Sequence, residues 1–319
     1  MNTIKKAALG AAVASILASP VTLAEDNWVT VYGKLNLTLD AVDQDNGDDQ
    51  WELNSNASRF GVKGKGAAGD LTAFYTLEWE VDIADNSKGS TDNIKSRNQF
   101  VGLRGDFGEI LAGRNDTPLK KAQQKIDIFS DGAMDMKTAL NGENRISGVV
   151  QYTTPKVNGF KAKVALIPGE DTGTNDGIAD GVSTGFEFKT GDLLLSAAFD
   201  SGIDGDDTDT MRIAASYKLD DLKLGFIYQD TDVAGSSADA YLASLAYTMD
   251  KTVFKVQHVN SDIWSTGVSS KVKYETMTSV GIDYKYAKKT TFVGYYGMSE
   301  EGATGDEDSI FGIGVVQKF

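Results

Sequence analysis

Apolar and polar side chains alternate with a period of two along most of the chain. In residues 29–40 one set is almost entirely aliphatic, whereas the other set includes Thr30, Lys34 and Asp40. The same alternation recurs in residues 71–82, 211–219, 222–228, 241–249 and 280–286. A period of two predicts β-strands with one apolar and one polar face. Helical periodicity is nearly absent, so the pattern indicates an all-β protein.

The predicted connections between these strands alternate between short turns and long polar loops. The short turns are residues 68–70, 106–108, 158–159, 191–192, 220–221, 250–251 and 288–289. The long loops are residues 41–50, 84–92, 116–144, 169–180, 201–209, 231–238, 261–275 and 299–307. Seven turns and eight loops separate sixteen strands and place both chain ends on the short-turn side. This arrangement is typical of an antiparallel transmembrane β-barrel with short periplasmic turns and long extracellular loops.

A soluble β-sandwich also has alternating strands, so the class of fold needs further evidence. A sandwich buries its apolar face and does not need loops that alternate in length. Tyr217, Tyr228 and Tyr284 lie near predicted strand ends, where membrane barrels carry aromatic girdles. The chain also ends on Phe319, which closes an alternating stretch from residue 309. These features favour a sixteen-stranded membrane barrel over the sandwich.

The amino-terminal residues have the features of a cleaved secretory signal. Two lysines precede a short apolar run at residues 7–17, and Ala24 fits a cleavage position. The apolar run is shorter than the roughly 20 residues that a helical membrane span needs. We therefore predict that residues 1–24 are removed and that residues 25–319 form the barrel domain.

The composition of the full chain restricts its partners and its chemistry. It has no cysteine, so disulfides do not stabilise it. Its 46 acidic side chains outnumber its 31 basic ones, and the formal net charge is −15. Phosphate backbones need the opposite sign, so nucleic acid is excluded as a partner.

Several short motifs occur in a fixed order along the chain. They are Val31-Tyr32-Gly33-Lys34-Leu35, Ser58-Arg59-Phe60-Gly61-Val62-Lys63-Gly64, Ser96-Arg97, Gly102-Leu103-Arg104, Gly113-Arg114-Asn115-Asp116-Thr117-Pro118-Leu119, Arg145, Gln151-Tyr152-Thr153-Thr154-Pro155 and Gly159-Phe160. With Phe319 at the end, they resemble the Gram-negative general outer-membrane porins, a trimeric sixteen-stranded family. Two departures are Gln317, where relatives usually have an aromatic residue, and a third loop without the Pro-Glu-Phe-Gly-Gly-Asp motif of the enteric members.

The resemblance implies a water-filled channel for passive diffusion of small hydrophilic solutes and ions, without a cofactor. It also implies a homotrimer in contact with outer-membrane lipids and lipopolysaccharide. The loop at residues 84–92 is the candidate to latch onto a neighbouring subunit. No catalytic or metal site is expected, since residues 43–49 resemble a calcium loop but have Asn54 where the twelfth position requires glutamate.

Charged residues inside the barrel are the candidate functional residues. The alternation alone predicts lumen-facing positions for Lys34, Arg59, Lys63 and Arg145. It leaves open whether Arg97 and Arg114 face the lumen or the lipid. The resemblance implies a basic wall opposite a third loop that folds into the barrel, formed by Lys34, Arg59, Arg97, Arg114 and Arg145. The acidic candidates on that loop, residues 116–144, are Asp116, Asp127, Asp131 and Asp135.

The ion selectivity and some alternative functions stay open at this level. Glu78, Glu80 and Asp82 are predicted to face the lumen and, with the acidic outer loops, favour weak cation selectivity. An anion-selective or sugar-selective porin is the alternative, because the basic wall has the opposite sign. A barrel enzyme would have to rely on His258, which stands near Asn260 and Ser261 without a nucleophile motif. A surface adhesin is the remaining alternative.

Overall fold

The computed structural model describes residues 27–45, 47, 49–84, 93–169 and 177–319. Within these ranges the chain is almost entirely antiparallel β-structure. The strands are β1 (Thr30–Gln44), β2 (Gln50–Ser55 and Arg59–Ala68), β3 (Leu71–Val81), β4 (Ile94–Gly105), β5 (Gly108–Asp116), β6 (Arg145–Thr153), β7 (Phe160–Ile167), β8 (Gly181–Thr190), β9 (Leu193–Ser201), β10 (Thr208–Leu219), β11 (Leu222–Val233), β12 (Ser236–Met249), β13 (Thr252–Ser261), β14 (Tyr274–Ala287), β15 (Thr290–Glu301) and β16 (Glu307–Lys318). The helices are α1 (Pro118–Ala122) and two 3₁₀ turns at Met136–Thr138 and Ile263–Thr266.

The sheet closes on itself. Each strand pairs with its neighbours in sequence, and β1 pairs with β16, so Lys34 lies opposite Lys318. The two segments of β2 both pair with β1 and form one strand that is interrupted around Ala57, whose φ is +49°. The seventeen segments among the described residues therefore make sixteen barrel strands. Closure pairs the backbone groups that an open sheet edge would expose, and the predicted fold is confirmed.

The outer face of the barrel carries the apolar sets that the alternation identified. On β10, Met211, Ile213 and Tyr217 are exposed, whereas Arg212 between them is completely buried on the inner face. The ring of Phe319 covers Gly33 on the outer face, in a place where any larger residue would collide with it. Among the described residues, no helix is both long and apolar enough to cross a membrane.

The short turns lie where they were expected, but one predicted long loop is wrong. β11 continues to Val233 and β12 begins at Ser236, so Ala234 and Gly235 alone connect them instead of residues 231–238. Both have positive φ, +51° and +86°, as a tight hairpin turn requires. The polar residues in this part of the chain belong to strand ends that extend beyond the apolar belt. Polarity alone does not distinguish such strand ends from a loop.

Other predictions concern residues that the structure does not describe. The signal segment 1–24 lies outside the described residues, as do residues 85–92 of the predicted latch loop. Two positions of the calcium-like stretch, 46 and 48, also lie outside them. Cleavage after Ala24 and the latch therefore stay predictions.

The main hydrophobic core lies inside the barrel, between the wall and the third loop, residues 117–144. We name the inner face of β10–β14 the apolar seat; it is formed by Ala214, Ile227, Leu242, Val259 and Met277. The loop covers this seat with buried apolar side chains of its own. These are Ile126, Phe129, Met134, Met136, Ala139 and Leu140. The third loop is therefore folded into the barrel, as the resemblance implied.

Candidate functional site

Beside the apolar seat, the inner face of β14 and β15 has space for the third loop because glycines occupy positions there. A Cβ atom added to Gly297 would lie 2.5 Å from the Met134 sulfur, and one added to Gly281 would lie 2.9 Å from the Phe129 ring. Contacts this short do not occur between real side chains, so larger residues would displace the loop. The loop thus packs directly against the backbone of the wall.

Hydrogen bonds from the seat hold the loop backbone in one register. Ser244 and Ser261 donate from Oγ to the carbonyls of Ile126 and Ala139, each at 2.7 Å. Gln257 accepts from the Ile128 amide at 2.9 Å and donates through Nε2 to Asp127 at 3.0 Å. These bonds satisfy backbone groups that the loop would otherwise bury without partners.

Arg212 on β10 is the centre of a second set of contacts at the base of the loop. It is fully buried, and its guanidinium donates to Glu143 at 2.7 Å, to the Asn141 carbonyl at 2.9 Å and to Gln229 at 2.8 Å. Arg212 was not among the functional residues predicted from the sequence. The sequence contained an indication of its role, because Arg212 is a charged residue at an inward-facing position of a strand. Its neighbours on that face include small polar residues, and Gln229 lies opposite it.

The tip of the third loop reaches the opposite side of the barrel. There Asp131 accepts from Lys34 Nζ at 2.6 Å and from Arg59 Nη1 at 3.0 Å. Burial would raise the pKa of Asp131, but the positive charges of Lys34 and Arg59 outweigh it and lower the pKa to about 2. Asp131 therefore links β1 and β2 to a loop whose main packing contacts are with β10–β14.

Arg97 lies on the same side of the barrel interior as Lys34 and Arg59 because the pairing of β3 and β4 is irregular beside it. The β3–β4 register shifts between Leu77 and Trp79, so Arg97 turns inward although Val101 and Leu103 share its parity and face outward. Its guanidinium contacts Glu78 at 2.7 Å and also Glu80. A β-bulge of this kind redirects a side chain without changing the strand order.

Arg145 completes the group that the structure brings together. Its Nη2 lies 2.9 Å from Asp116 Oδ1, and its Nε donates to the side chain of Asn98 at 2.9 Å. Lys120 on α1 also approaches Asp116, at 3.5 Å. We name Lys34, Arg59, Arg97 and Arg145, with the carboxylates of Glu78 and Glu80, the charged wall.

Arg114 does not join the charged wall. Asn115, the next residue, faces the barrel interior, so Arg114 belongs to the outward-facing set of β5. It pairs with Gln99, which belongs to the outward-facing set of β4, and it donates to Ser147 Oγ at 2.9 Å. Its expected place beside the other basic residues is therefore corrected. The strand-to-loop transition made its phase ambiguous, and β5 in fact keeps its alternation through Asn115.

Two of the acidic candidates stabilise the loop itself. Asp127 is buried and accepts from the amides of Phe129 and Met136 as well as from Gln257. Burial, and then the neighbouring carboxylate of Asp135, raise the pKa of Asp127 to about 7. Asp135 accepts from the amides of Asp131 and Lys137 and caps the 3₁₀ turn.

Between the charged wall and the third loop lies a cavity of about 800 Å³. Arg59, Arg97 and Arg145 line one side, and Asp131 lines the other. Among the described residues, no three His, Cys, Asp or Glu side chains are grouped so that they could hold a metal ion. His258 lies on the exposed outer face of β13, where its Nδ1 is 2.9 Å from Thr278 Oγ1.

A closed sixteen-stranded barrel, with a loop folded against one side of its interior and charged residues on the other, defines a channel-type membrane barrel. A family model described as Gram-negative porin matches residues 8–304, and the chain belongs to this family. It is an integral protein of the bacterial outer membrane, in a family of channels rather than enzymes.

Individual relatives are distant but cover most of the chain. The major outer membrane protein P.IB of Neisseria meningitidis is 24% identical over 265 residues, which cover 77% of each chain. Outer membrane porin protein 32 of Delftia acidovorans is 28% identical over 242 residues, 69% of this chain and 68% of the relative. The solved structure of an anion-selective porin from Comamonas acidovorans aligns with a TM-score of 0.72 at 20% identity, covering 91% of this chain and 99% of that one.

Proposed function

We propose that this protein is a diffusion pore through which small hydrophilic solutes and ions cross the outer membrane down their gradients. The observation that carries the proposal is the contact of Asp131 with Lys34 and Arg59 beside the 800 Å³ cavity. A loop that reaches from one side of the barrel to the other narrows the bore. The cavity beside this contact is lined mostly by charged and polar side chains, as a passage for hydrophilic solutes requires.

We further propose that the charged wall and the third loop form the constriction of this pore. Lys34, Arg59, Arg97 and Arg145 lie on the wall. Asp131 lies on the third loop, and Asp116 ends β5 directly before it and pairs with Arg145. Opposite charges across a narrow, partly desolvated gap produce a transverse field. Such a field orients polar solutes and disfavours apolar ones.

For the ion preference we propose weak cation selectivity. Each basic residue of the charged wall has a carboxylate within 4.0 Å, so the two signs largely cancel at distances beyond the constriction, although the transverse field inside it remains. The net charge of −15 then dominates the vestibules, where exposed loop carboxylates attract cations. The Comamonas acidovorans porin, described as anion-selective, is the opposite outcome on a similar fold.

A planar-bilayer measurement with refolded protein in a KCl gradient tests both proposals. We expect stable conductance steps and a small reversal potential of cation sign. Arg59→Gln is expected to move the reversal potential further toward cations and Asp131→Asn toward anions. Lys289→Gln, in the turn between β14 and β15, should change it little.

The possible outcomes separate the proposals. An anion-signed potential would retain the pore and overturn the cation preference. Equal shifts in Arg59→Gln and Lys289→Gln would overturn the constriction. A folded barrel without conductance would overturn the pore and favour an enzyme or an adhesin.

We propose a homotrimer as the assembled form. The family resemblance supports it, and so does Arg114, which stands on the outer parity beside Gln99 and Ser147. An arginine on the lipid-facing surface costs up to about 2–4 kcal/mol at the bilayer midplane and less toward the interfaces, so a neighbouring subunit that covers it would be favourable. Native mass spectrometry in detergent is expected to show three copies, and a monomer under all conditions would contradict the proposal.

A further inference from the structure

Two lysines on another side of the same cavity differ from the charged wall because they lack acidic partners. Lys121 on α1 donates to the neutral side chain of Asn115 at 3.0 Å. Lys163 on β7 has Thr153 and Gly185 as its cross-strand neighbours. Among the described residues, neither lysine has a carboxylate oxygen within ion-pair distance, although both line the cavity.

The packing of α1 explains why these two lysines are close together. A Cβ atom added to Gly185 would lie 3.1 Å from Pro118, so the first turn of α1 rests on the wall directly beside Lys163. Lys121 and Lys163 also line one small side cleft together. Their positions are therefore set by the backbone of the barrel and of α1, not by an ion pair.

The acidic side chains whose charge acts on Lys163 are Glu187 and Glu109, and both are engaged elsewhere, Glu109 with Arg104. Glu187 lies opposite Lys161 in the β7–β8 register and accepts from Gln124 Nε2 at 2.8 Å. Burial, and to a smaller extent repulsion from Lys163, lower the pKa of Lys121 to about 8, although the negative charge of Asp116 opposes this shift. A bound anion would offset the repulsion between the two ammonium groups, and this makes its binding free energy more favourable. A cation or a neutral sugar would not have this effect.

We propose that Lys121 and Lys163 form a subsite for a compact oxyanion, such as inorganic phosphate or the phosphate group of a small solute. The proposal rests on the pore function proposed above and concerns the affinity of one side of the cavity. Two ammonium groups on separate elements fit an ion with several acceptor oxygens better than a single chloride. At physiological salt, screening acts over about 8 Å, so acidic outer loops further away do not cancel this local charge.

The probe is inorganic phosphate, added at constant ionic strength to single channels in KCl. We expect phosphate to lower the mean current of the wild-type channel in a saturable way. Lys163→Gln and Lys121→Gln are each expected to raise the half-blocking concentration about tenfold, the effect of losing one charge-assisted contact. The matched control is Lys137→Gln, because Lys137 lines the same cavity but pairs with Asp135 at 3.4 Å.

The outcomes distinguish this proposal from the pore function. Loss of the block in Lys163→Gln with retention in Lys137→Gln supports the subsite. Equal loss in all three variants overturns it in favour of a general charge effect. Normal conductance without any phosphate block overturns the subsite and leaves the pore intact, whereas absence of conductance overturns the pore itself. Heat-dependent gel mobility verifies that each variant is a folded barrel.

Discussion

The two sides of the barrel interior are built on the same alternation of strand residues but have opposite chemistry. On β1–β6 the inward positions carry Lys34, Arg59, Arg97 and Arg145, each in contact with a carboxylate. On β10–β14 the apolar residues of the seat occupy inward-facing positions. The difference follows from what each side faces, because one side borders the cavity and the other is covered by the third loop.

This comparison changes how an inward position in a barrel is interpreted. A polar inner face is the expectation for a water-filled barrel, so inward apolar residues such as Ile227 and Leu242 indicate protein rather than water opposite them. The third loop itself shows both kinds of contact. Its central residues pack on the seat, and its tip residue Asp131 binds the charged wall.

The largest expected effect comes from removing the buried guanidinium at the seat. Arg212→Met would remove the charged partner of the buried Glu143 and leave it only the hydrogen bond from Gln123, a loss that typically destabilises by roughly 3–5 kcal/mol. Urea unfolding of the refolded barrel in liposomes measures the loss. Adding Glu143→Gln should recover part of it, and a double variant as unstable as the single one would show that the ion pair is not the cause.

Apolar packing on the seat is the next contribution. Met134→Ala removes a side chain that is 3% exposed and covers Gly297, and we expect a loss of about 2–5 kcal/mol. Single-channel recordings should show larger current fluctuations as the loop loosens. Met211→Ala on the outer face is the matched control. Similar noise in both variants would contradict a role of the seat.

The contact of Asp131 with Lys34 and Arg59 is expected to contribute less to stability than the packing of Met134. It is partly exposed and involves fewer interactions. Asp131→Asn should cost about 1.5–3 kcal/mol, the range for a hydrogen bond to a charged group. We expect the barrel to stay folded and the channel noise to rise less than in Met134→Ala. Noise greater than in that variant would mean that the charged wall, not the seat, holds the loop.

Acidity should separate the two contacts of the loop. Asp131 has a pKa of about 2, below its ordinary 3.8, so its contribution is present above about pH 4 and lost as pH falls toward 2. Asp127 has its pKa raised to about 7, so its contribution is complete below about pH 4 and lost as pH rises through 7. Channel noise in the wild type is therefore expected to be lowest near pH 4. In Asp131→Asn the rise of noise below pH 4 should disappear, and in Asp127→Asn the rise of noise above pH 4 should disappear. If both variants showed the same dependence of noise on pH as the wild type, these roles of Asp131 and Asp127 would be contradicted.

The smallest effect is expected outside the barrel. His258→Gln changes an exposed side chain on the outer face, so stability should stay within about 0.5 kcal/mol and conductance should not change. A marked change in conductance would show that the outer face communicates with the interior.

Much of the fold could be predicted from the chain because strand alternation is a local property. Residues 211–219 and 280–286 alternate over their whole length, and both were placed with the correct face outward. The two-residue connection at Ala234 and Gly235 could not be predicted from polarity, since a strand that extends beyond the membrane is as polar as a loop. At the candidate site, Lys34 and Arg59 followed from phase, whereas Arg97 depended on a β-bulge and Arg212 on the course of the third loop.

By itself, the sequence determined the all-β class, the sixteen strands, the outward apolar face and the acidic balance of the chain. The acidic balance follows from composition. The other three depend on the spacing of apolar residues along the backbone, which repeats every two residues whatever lies opposite. Only the tertiary structure decided which acid reaches the charged wall, which lysines remain without acidic partners and which side of the barrel receives the third loop. Those contacts join residues about 70 to 130 positions apart, such as Arg59 with Asp131 and Gln257 with Asp127. Their partners are set by how the barrel closes, which no local pattern encodes.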